Sequence, residues 1–269
     1  MNAPSPAGQP GVRFTVFSKP WKMPLPELGA HLARFGFGGI ELPVRPGYQV
    51  PPEEVRQGLP AAARLLGDYG LAIGSVAGPT DEPTIEACAA AGVPIIRIDI
   101  GIPRGVGYLE HEATIRKRFD ALLPELERHG ITVGIQNHSG RSVASCAAIR
   151  RLIGDYDPRC FGAVWDPGHC ALEGELPEMA IDILWSHLCL VNLKNPLYQR
   201  SNGPEAQVAT YTRQWTTGRQ GLCPWTTVAD LLKQREYHGD ICLSAAYTDM
   251  ASLDRLLADD LRFATALFA

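Results

Sequence analysis

Residues 95–137 contain, in order, IIRIDI (95–100), HEATIRKRFDALLPELERHG (111–130) and TVGIQN (132–137). The two outer runs are short and rich in β-branched or apolar residues, which predicts strands. Between them the apolar residues return at helical spacing, and the segment closes on Gly130, a residue that enters the left-handed conformation at a helix end without steric cost. Strand, helix, strand is the unit from which parallel sheets are built.

The same unit recurs outward to both ends of the chain. VRFTVF (12–17), GGIELP (38–43) and AIGSVA (72–77) precede it, and FGAVWD (161–166), LCLVNLK (188–194) and DICLSAA (240–246) follow. Helical spacing appears between them, as in PELGAHLARFG (26–36), TIEACAAAG (84–92) and WTTVADLLKQRE (225–236). Eight strand–helix pairs without a break in composition favour an α/β protein, a closed (β/α)8 or TIM barrel in a single domain, over an open doubly wound sheet. The barrel is expected over 12–269 and a short disordered tail over 1–11. No G-x-G-x-x-G or P-loop follows a strand, so no motif for a dinucleotide or triphosphate is present.

A chain of 269 residues, 45% hydrophobic, can fill one such barrel. Its net charge of -4 and lack of basic runs argue against nucleic acid as a partner. No apolar run is long enough to span a bilayer, and the opening MNAPSPAGQPG lacks the pattern of a signal peptide, so a cytoplasmic protein without a membrane partner is expected. The seven cysteines are scattered, with no C-x-x-C pair, and read as reduced, buried thiols.

One connection stands out by length. Residues 195–223 follow the seventh strand with little apolar periodicity. Leaving the C-terminal end of a strand, where barrel enzymes build their sites, they are expected to form a lid carrying Arg200, Tyr211, Arg213, Trp215 and Arg219. A loop that only packs over a helix is the alternative.

Strand alternation sorts the polar residues. Glu41, Arg97 with Asp99, Gln136 with His138, Asp166, Asn192 with Lys194, and Ser244 with Ala246 fall on the parity opposite to the apolar helix-facing one. They should therefore gather inside the barrel and on its upper rim. Individually they allow plainer readings: Glu41 and Arg97 as a structural ion pair, His138 as a core histidine, Lys194 as a partner of Asp166 or Asp99. Collected at strand ends they point to a ligand site. His138, His169 and Lys194 are the acid/base candidates and Asp166 a group that orients them or the substrate. Glu41, Arg97, Gln136, Asn192 and Trp215 are the candidate substrate contacts.

GFGGIELPV (36–44), GIQNHSGR (134–141), WDPGHC (165–170), LVNLKN (190–195) and YHGDICLSAAY (237–247) resemble the second, fifth, sixth, seventh and eighth strands of the sugar phosphate isomerase/epimerase family, the xylose-isomerase-like barrels. The resemblance implies a divalent metal held by Glu, Asp, His and Glu from strands five to eight, with the two glutamates moving a proton between adjacent carbons of a sugar. On this chain the fifth-strand position is Gln136, the sixth Asp166, the seventh Asn192 and the eighth Ser244 or Ala246, so one anionic ligand remains. A glutamate at 246 would restore a second, and the alanine there is either natural or introduced. Asp166, with the amide oxygens of Gln136 and Asn192, is expected to hold at most a weak divalent cation such as magnesium or manganese, and no tightly bound cofactor is expected. The expectation is a carbohydrate-acting isomerase, epimerase or lyase without the full metal set, or a carbohydrate-binding pseudoenzyme of the same fold. A nuclease of the endonuclease IV branch would need several zinc ligands and a basic face. The expected partner is a small-molecule carbohydrate, and the chain is a candidate for homo-oligomer formation.

Overall fold

A computed structural model describes residues 11–269; all of the expected tail except Gly11 lies outside the described residues. The strands β1 (Arg13–Phe17), β2 (Gly39–Pro43), β3 (Ala72–Ala77), β4 (Ile95–Asp99), β5 (Thr132–Gln136), β6 (Phe161–Trp165) and β7 (Leu188–Leu193) stand within a residue of their expected limits. Between them run α1 (Leu25–Ala33), α2 (Val55–Gly67), α3 (Glu82–Ala91), α4 (Tyr108–His129), α5 (Cys146–Ile153), and the pair α6 (Pro167–Glu173) and α7 (Pro177–Leu184). The connection after β7 carries two further strands, β8 (Asn195–Arg200) and β9 (Tyr211–Thr216), before α8 (Trp225–Gln234), β10 (Asp240–Leu243) and α9 (Leu253–Phe268) close the chain.

Eight parallel strands join in the order β1-β10-β7-β6-β5-β4-β3-β2 and return on themselves as a closed barrel. Two apolar layers follow from strand alternation. One parity packs outward against the helices, with Val16, Ile40, Ile96, Ile135, Val191 and Ile241 in that large core. The other fills the barrel interior with Phe17, Ala77, Val164, Leu190 and Cys242. The interior is tight: a Cβ on Gly162 would lie 2.7 Å from Cys189 Sγ, so the strand needs a glycine there. Above this plug the same parity turns polar.

Helix starts carry recognisable chemistry. Asp81 caps α3 by accepting from Thr84 N–H at 3.1 Å, Ser145 does the same for α5 from Ala148, and Asp166 caps α6 from His169 N–H at 3.1 Å. Pro167 occupies the first position of α6, where no backbone N–H is needed.

The structure differs from the sequence expectation at two places. The 195–223 connection is an antiparallel hairpin, with Asn195 paired to Thr216 and Arg200 to Tyr211. It is held by backbone pairing beneath mostly polar side chains, which leave no apolar pattern to read. The eighth barrel strand stops at Leu243, and Ala245 takes φ 48°, a left-handed conformation. Alternation ends there, so the parity that placed Ala246 beside Ser244 does not extend to it. Thr248 instead meets the hairpin, its N–H donating to Trp215 O at 2.9 Å and its Oγ1 accepting from Trp215 N–H at 2.8 Å.

Asp260 of α9 ties this region to the body. Nearly buried, its carboxylate accepts from Gly218 N–H at 2.7 Å and from Tyr247 OH at 2.8 Å. Burial pushes its carboxyl up to about 6, with Asp259 adding to the rise and the two hydrogen bonds opposing it. A raised carboxyl holds a proton in the folded chain that the unfolded chain has released, so stability should fall as pH rises from 3.8 through about 6. Melting temperature against pH should show that decline in the natural chain, and Asp260→Asn should flatten it.

Candidate functional site

The polar residues at the strand ends form one hydrogen-bonded belt. On the β2–β4 side, both Glu41 oxygens receive Arg97, Nε to Oε1 and Nη2 to Oε2, each at 2.7 Å, and Ser75 Oγ adds a third contact at 3.1 Å. Burial works against the Arg97 charge, but Glu41 outweighs it and holds the guanidinium above its ordinary pKa. Arg97 lies over the Phe17 ring and donates from Nη1 to Gln136 Oε1 at 2.6 Å.

Gln136 passes the chain onward. With its oxygen taken by Arg97, its amide NH2 donates to Asp166 Oδ2 at 2.7 Å; a donor on one side and an acceptor on the other fix the amide orientation. Lys194 Nζ reaches the same Asp166 oxygen at 3.1 Å and His169 Nε2 at 3.0 Å. His169 Nδ1 lies 2.8 Å from Ser139 Oγ, which also accepts from Arg213 Nη1 at 2.9 Å. Glu41, Arg97, Gln136, Asp166, Lys194, His169, Ser139 and Arg213 are thus linked without a gap.

Asp166 and His169 are fully buried. Burial opposes the Asp166 charge, but Lys194 first, and then His169, hold its carboxyl below the usual range. Burial pushes the His169 imidazole down to about 3, and Lys194 adds to this, so the ring is neutral. A lysine ammonium can only donate, which leaves Nε2 unprotonated and puts the ring proton on Nδ1, facing Ser139 Oγ. The Ser139 amide, 3.2 Å from that same nitrogen, would require the opposite tautomer. The Lys194 contact, the shorter of the two and to a group that can only donate, decides against it, and the Ser139 hydroxyl fits either tautomer.

His138 packs against His169 with ring centroids 4.0 Å apart and the planes tilted by 41°. Its Nδ1 lies 3.1 Å from the carbonyl of Ser139 and must carry the proton, since a carbonyl only accepts. The other nitrogen, Nε2, has no hydrogen-bond partner among the described residues. Burial, and after it Lys194, push this imidazole below its ordinary pKa. Asn192, nearly buried on β7, has an Oδ1 without a hydrogen-bond partner.

The hairpin covers this corner. Trp215 meets the His169 ring edge-on at 5.4 Å, and the Lys194 and Arg213 cations lie 5.1 and 4.7 Å from its centroid. Of the other expected lid residues, Arg200 bonds within the hairpin, Tyr211 is exposed and Arg219 lies over Phe263. Across the mouth a cleft of about 400 Å³ opens between Arg97, Arg45, Val44, Pro79 and Asp99, and a larger one of about 630 Å³ continues from Asp99 toward His111 and Ile115 of α4.

These placements do not fit a divalent metal at Asp166. The carboxylate accepts from His169 N–H, Gln136 and Lys194, and Gln136 turns donor hydrogens rather than its oxygen toward it. Among the described residues, three metal-type donors converge only behind the site, at Cys146, Cys170 and Glu175. The sequence, which read its cysteines as scattered, did not show this pair. Their sulfurs are 3.5 Å apart, and the bond to Cys170, followed by burial, pushes the Cys146 thiol far up. Ser139 and the Arg213 contact to it were also missed; a serine in a loop carries no periodic signal.

A family model for xylose isomerase-like TIM barrels matches residues 30–267. The chain belongs to that family. Structural likeness extends to D-allulose 3-epimerase from Methylomonas sp., at 15% identity over 97% of this chain and 99% of that one, TM-score 0.72. It extends equally to 3-keto-D-glucoside 4-epimerase from E. coli, at 13% identity over 95% and 99%, TM-score 0.72. The probable 3-DHS dehydratase from Bacillus anthracis aligns at 15% identity over 94% and 99%, TM-score 0.70. At such identities the likeness establishes the shared barrel. No curated protein sequence is similar enough to this chain to count as a match. Among the described residues no helix is long and apolar enough to cross a membrane.

The D-P-G-H turn of this family member has a steric requirement. A Cβ on Gly168 would sit 2.6 Å from Lys194 O and 3.0 Å from Lys194 Cγ. Gly168→Ala should therefore displace Lys194 from Asp166 and lower stability by about 1–3 kcal/mol, read by denaturant unfolding. The neutral state of His169 is checked separately: its ring resonances should not titrate near pH 6.5, whereas a midpoint there would show that burial does not control its charge.

Proposed function

We propose that the chain is a carbohydrate-acting enzyme, an isomerase, epimerase or lyase of a sugar or keto-sugar, working without a Glu-Asp-His-Glu metal set and with no tightly bound cofactor. The observation that carries this reading is a pair of acceptor atoms on the polar rim without a hydrogen-bond partner among the described residues, His138 Nε2 and the buried Asn192 Oδ1. A buried acceptor without a donor is costly, and a substrate hydroxyl would supply the donor. Membership of the xylose isomerase-like barrels, and the epimerases and dehydratase among the structural neighbours, support the substrate class.

In this reading His138 Nε2 takes the proton from the carbon beside a carbonyl, an imidazole below its ordinary pKa being a base at neutral pH. His169 backs the His138 ring, with the two centroids 4.0 Å apart, and Lys194 is the remaining acid/base candidate. Asp166 orients both. Glu41, Arg97 and Gln136 are a rigid floor, because their hydrogen-bonding groups are engaged with one another and with Asp166. Trp215 offers its ring as the sugar-facing surface of the lid.

The alternative, a carbohydrate-binding protein without turnover, draws on one fact. Both buried carboxylates of the belt are tied into ion pairs, Glu41 to Arg97 and Asp166 to Lys194, so neither is a free base.

Incubation with a panel of ketoses and keto-sugars in D2O separates the two. Deuterium should enter the substrate at the carbon beside the carbonyl, and His138→Gln should slow this about 100-fold or more while the melting temperature stays close to that of the natural chain. Saturable sugar binding with no exchange in any member of the panel would establish the binding protein instead.

A further inference from the structure

A carboxylate, an imidazole and two amide side chains meet at the ends of β5, β6 and β7, a set of groups that ordinarily collects around a cation. A cation is already there. Lys194 Nζ stands 3.1 Å from Asp166 Oδ2 and 3.0 Å from His169 Nε2, with its side chain 11% exposed and the Trp215 ring at 5.1 Å. Two further donors hold Asp166. Oδ1 accepts from His169 N–H, and Oδ2 is shared between Gln136 and Lys194. Gln136 cannot turn its oxygen inward without losing Arg97, whose Nη1 holds that oxygen at 2.6 Å.

We infer that the Lys194 ammonium is the resident cation of this site, standing in place of a divalent ion, and that it supplies the positive charge for an oxyanion formed on the substrate. An ammonium has three N–H donors. Asp166 and His169 take two, and the third has no hydrogen-bond partner among the described residues. This third donor lies beneath the Trp215 lid, where a substrate carbonyl oxygen would receive it. As a proton leaves the neighbouring carbon, negative charge gathers on that oxygen, and a fixed N–H in a water-poor corner stabilises it without moving. Asp166 pairs with the ammonium, His169 orients it, and Gly168 gives its stem room to lie across the start of α6.

The oxyanion role rests on the function proposed above, whereas the occupation of the corner by the ammonium does not. Mn2+ titration of the full chain, followed by calorimetry and by paramagnetic broadening of the His169 ring resonances, tests the occupation with no substrate present. The natural chain should show no saturable Mn2+ binding at this corner. Lys194→Ala frees the Asp166 oxygen and removes the competing charge, so it should bind Mn2+ about tenfold or more tighter. Adding Asp166→Asn should abolish that gain. Broadening of His169 by stoichiometric Mn2+ in the natural chain would overturn the inference, as would a folded Lys194→Ala protein that binds no better than its parent. Should Lys194→Ala fail to fold, the titration of the natural chain decides alone. Failure of the sugar reading would show differently, as absence of isotope exchange with every sugar while the metal results stand.

Discussion

A carboxylate with no exposed surface has to be compensated, and Asp166 is the residue on which the upper half of this barrel depends. An isolated buried charge would cost several kcal/mol. Here the cost is met by three donors from three directions: the first turn of α6, the β5 amide of Gln136 and the ammonium of Lys194, just after β7. Each has a second obligation. Gln136 also receives Arg97, Lys194 also donates to His169, and the α6 N–H belongs to His169 itself. Fixing one carboxylate therefore fixes the rim from β2 to the hairpin.

The hairpin joins that network through charge and aromatic contacts rather than through a core. Arg213 reaches Ser139, Trp215 covers Lys194 and His169, and Asp260 holds the hairpin's base at Gly218. The segment is well placed to sense what occupies the mouth, because its contacts on that side are to the residues that would touch a ligand. The barrel interior below offers no such freedom, being filled by Phe17, Val164 and Leu190. From the mouth inward the order is polar hairpin, charged rim and apolar plug.

The chemistry proposed here differs from what the family resemblance implies, and the difference has a simple physical basis. Replacing a carboxylate by an amide, as at Gln136, removes both charge and basicity and adds two hydrogen-bond donors. One of those donors bonds to Asp166, at the place where the resemblance would imply a metal. A lysine nearby completes the exchange of cations. What the fold supplies is a ring of strand ends on which such exchanges can be made without disturbing the core.

The sequence by itself determined the barrel and which side chains turn toward its interior. Eight strand–helix units could be read because alternation and helical spacing are local properties, and parity puts Glu41, Arg97, Gln136, Asp166, Asn192 and Lys194 on the inward face. Local pattern could not show how these residues choose partners. That Glu41 takes Arg97, that Lys194 takes both Asp166 and His169, and that Cys146 meets Cys170 depend on residues 56, 28, 25 and 24 positions apart in the chain. The hairpin was invisible because its strands are held by backbone bonds beneath polar side chains, and the parity at Ala246 failed because one residue, Ala245, turns left-handed. Hydrogen-bond partners at long range are selected by closure of the barrel, which brings strand ends together only once all eight strands are in register.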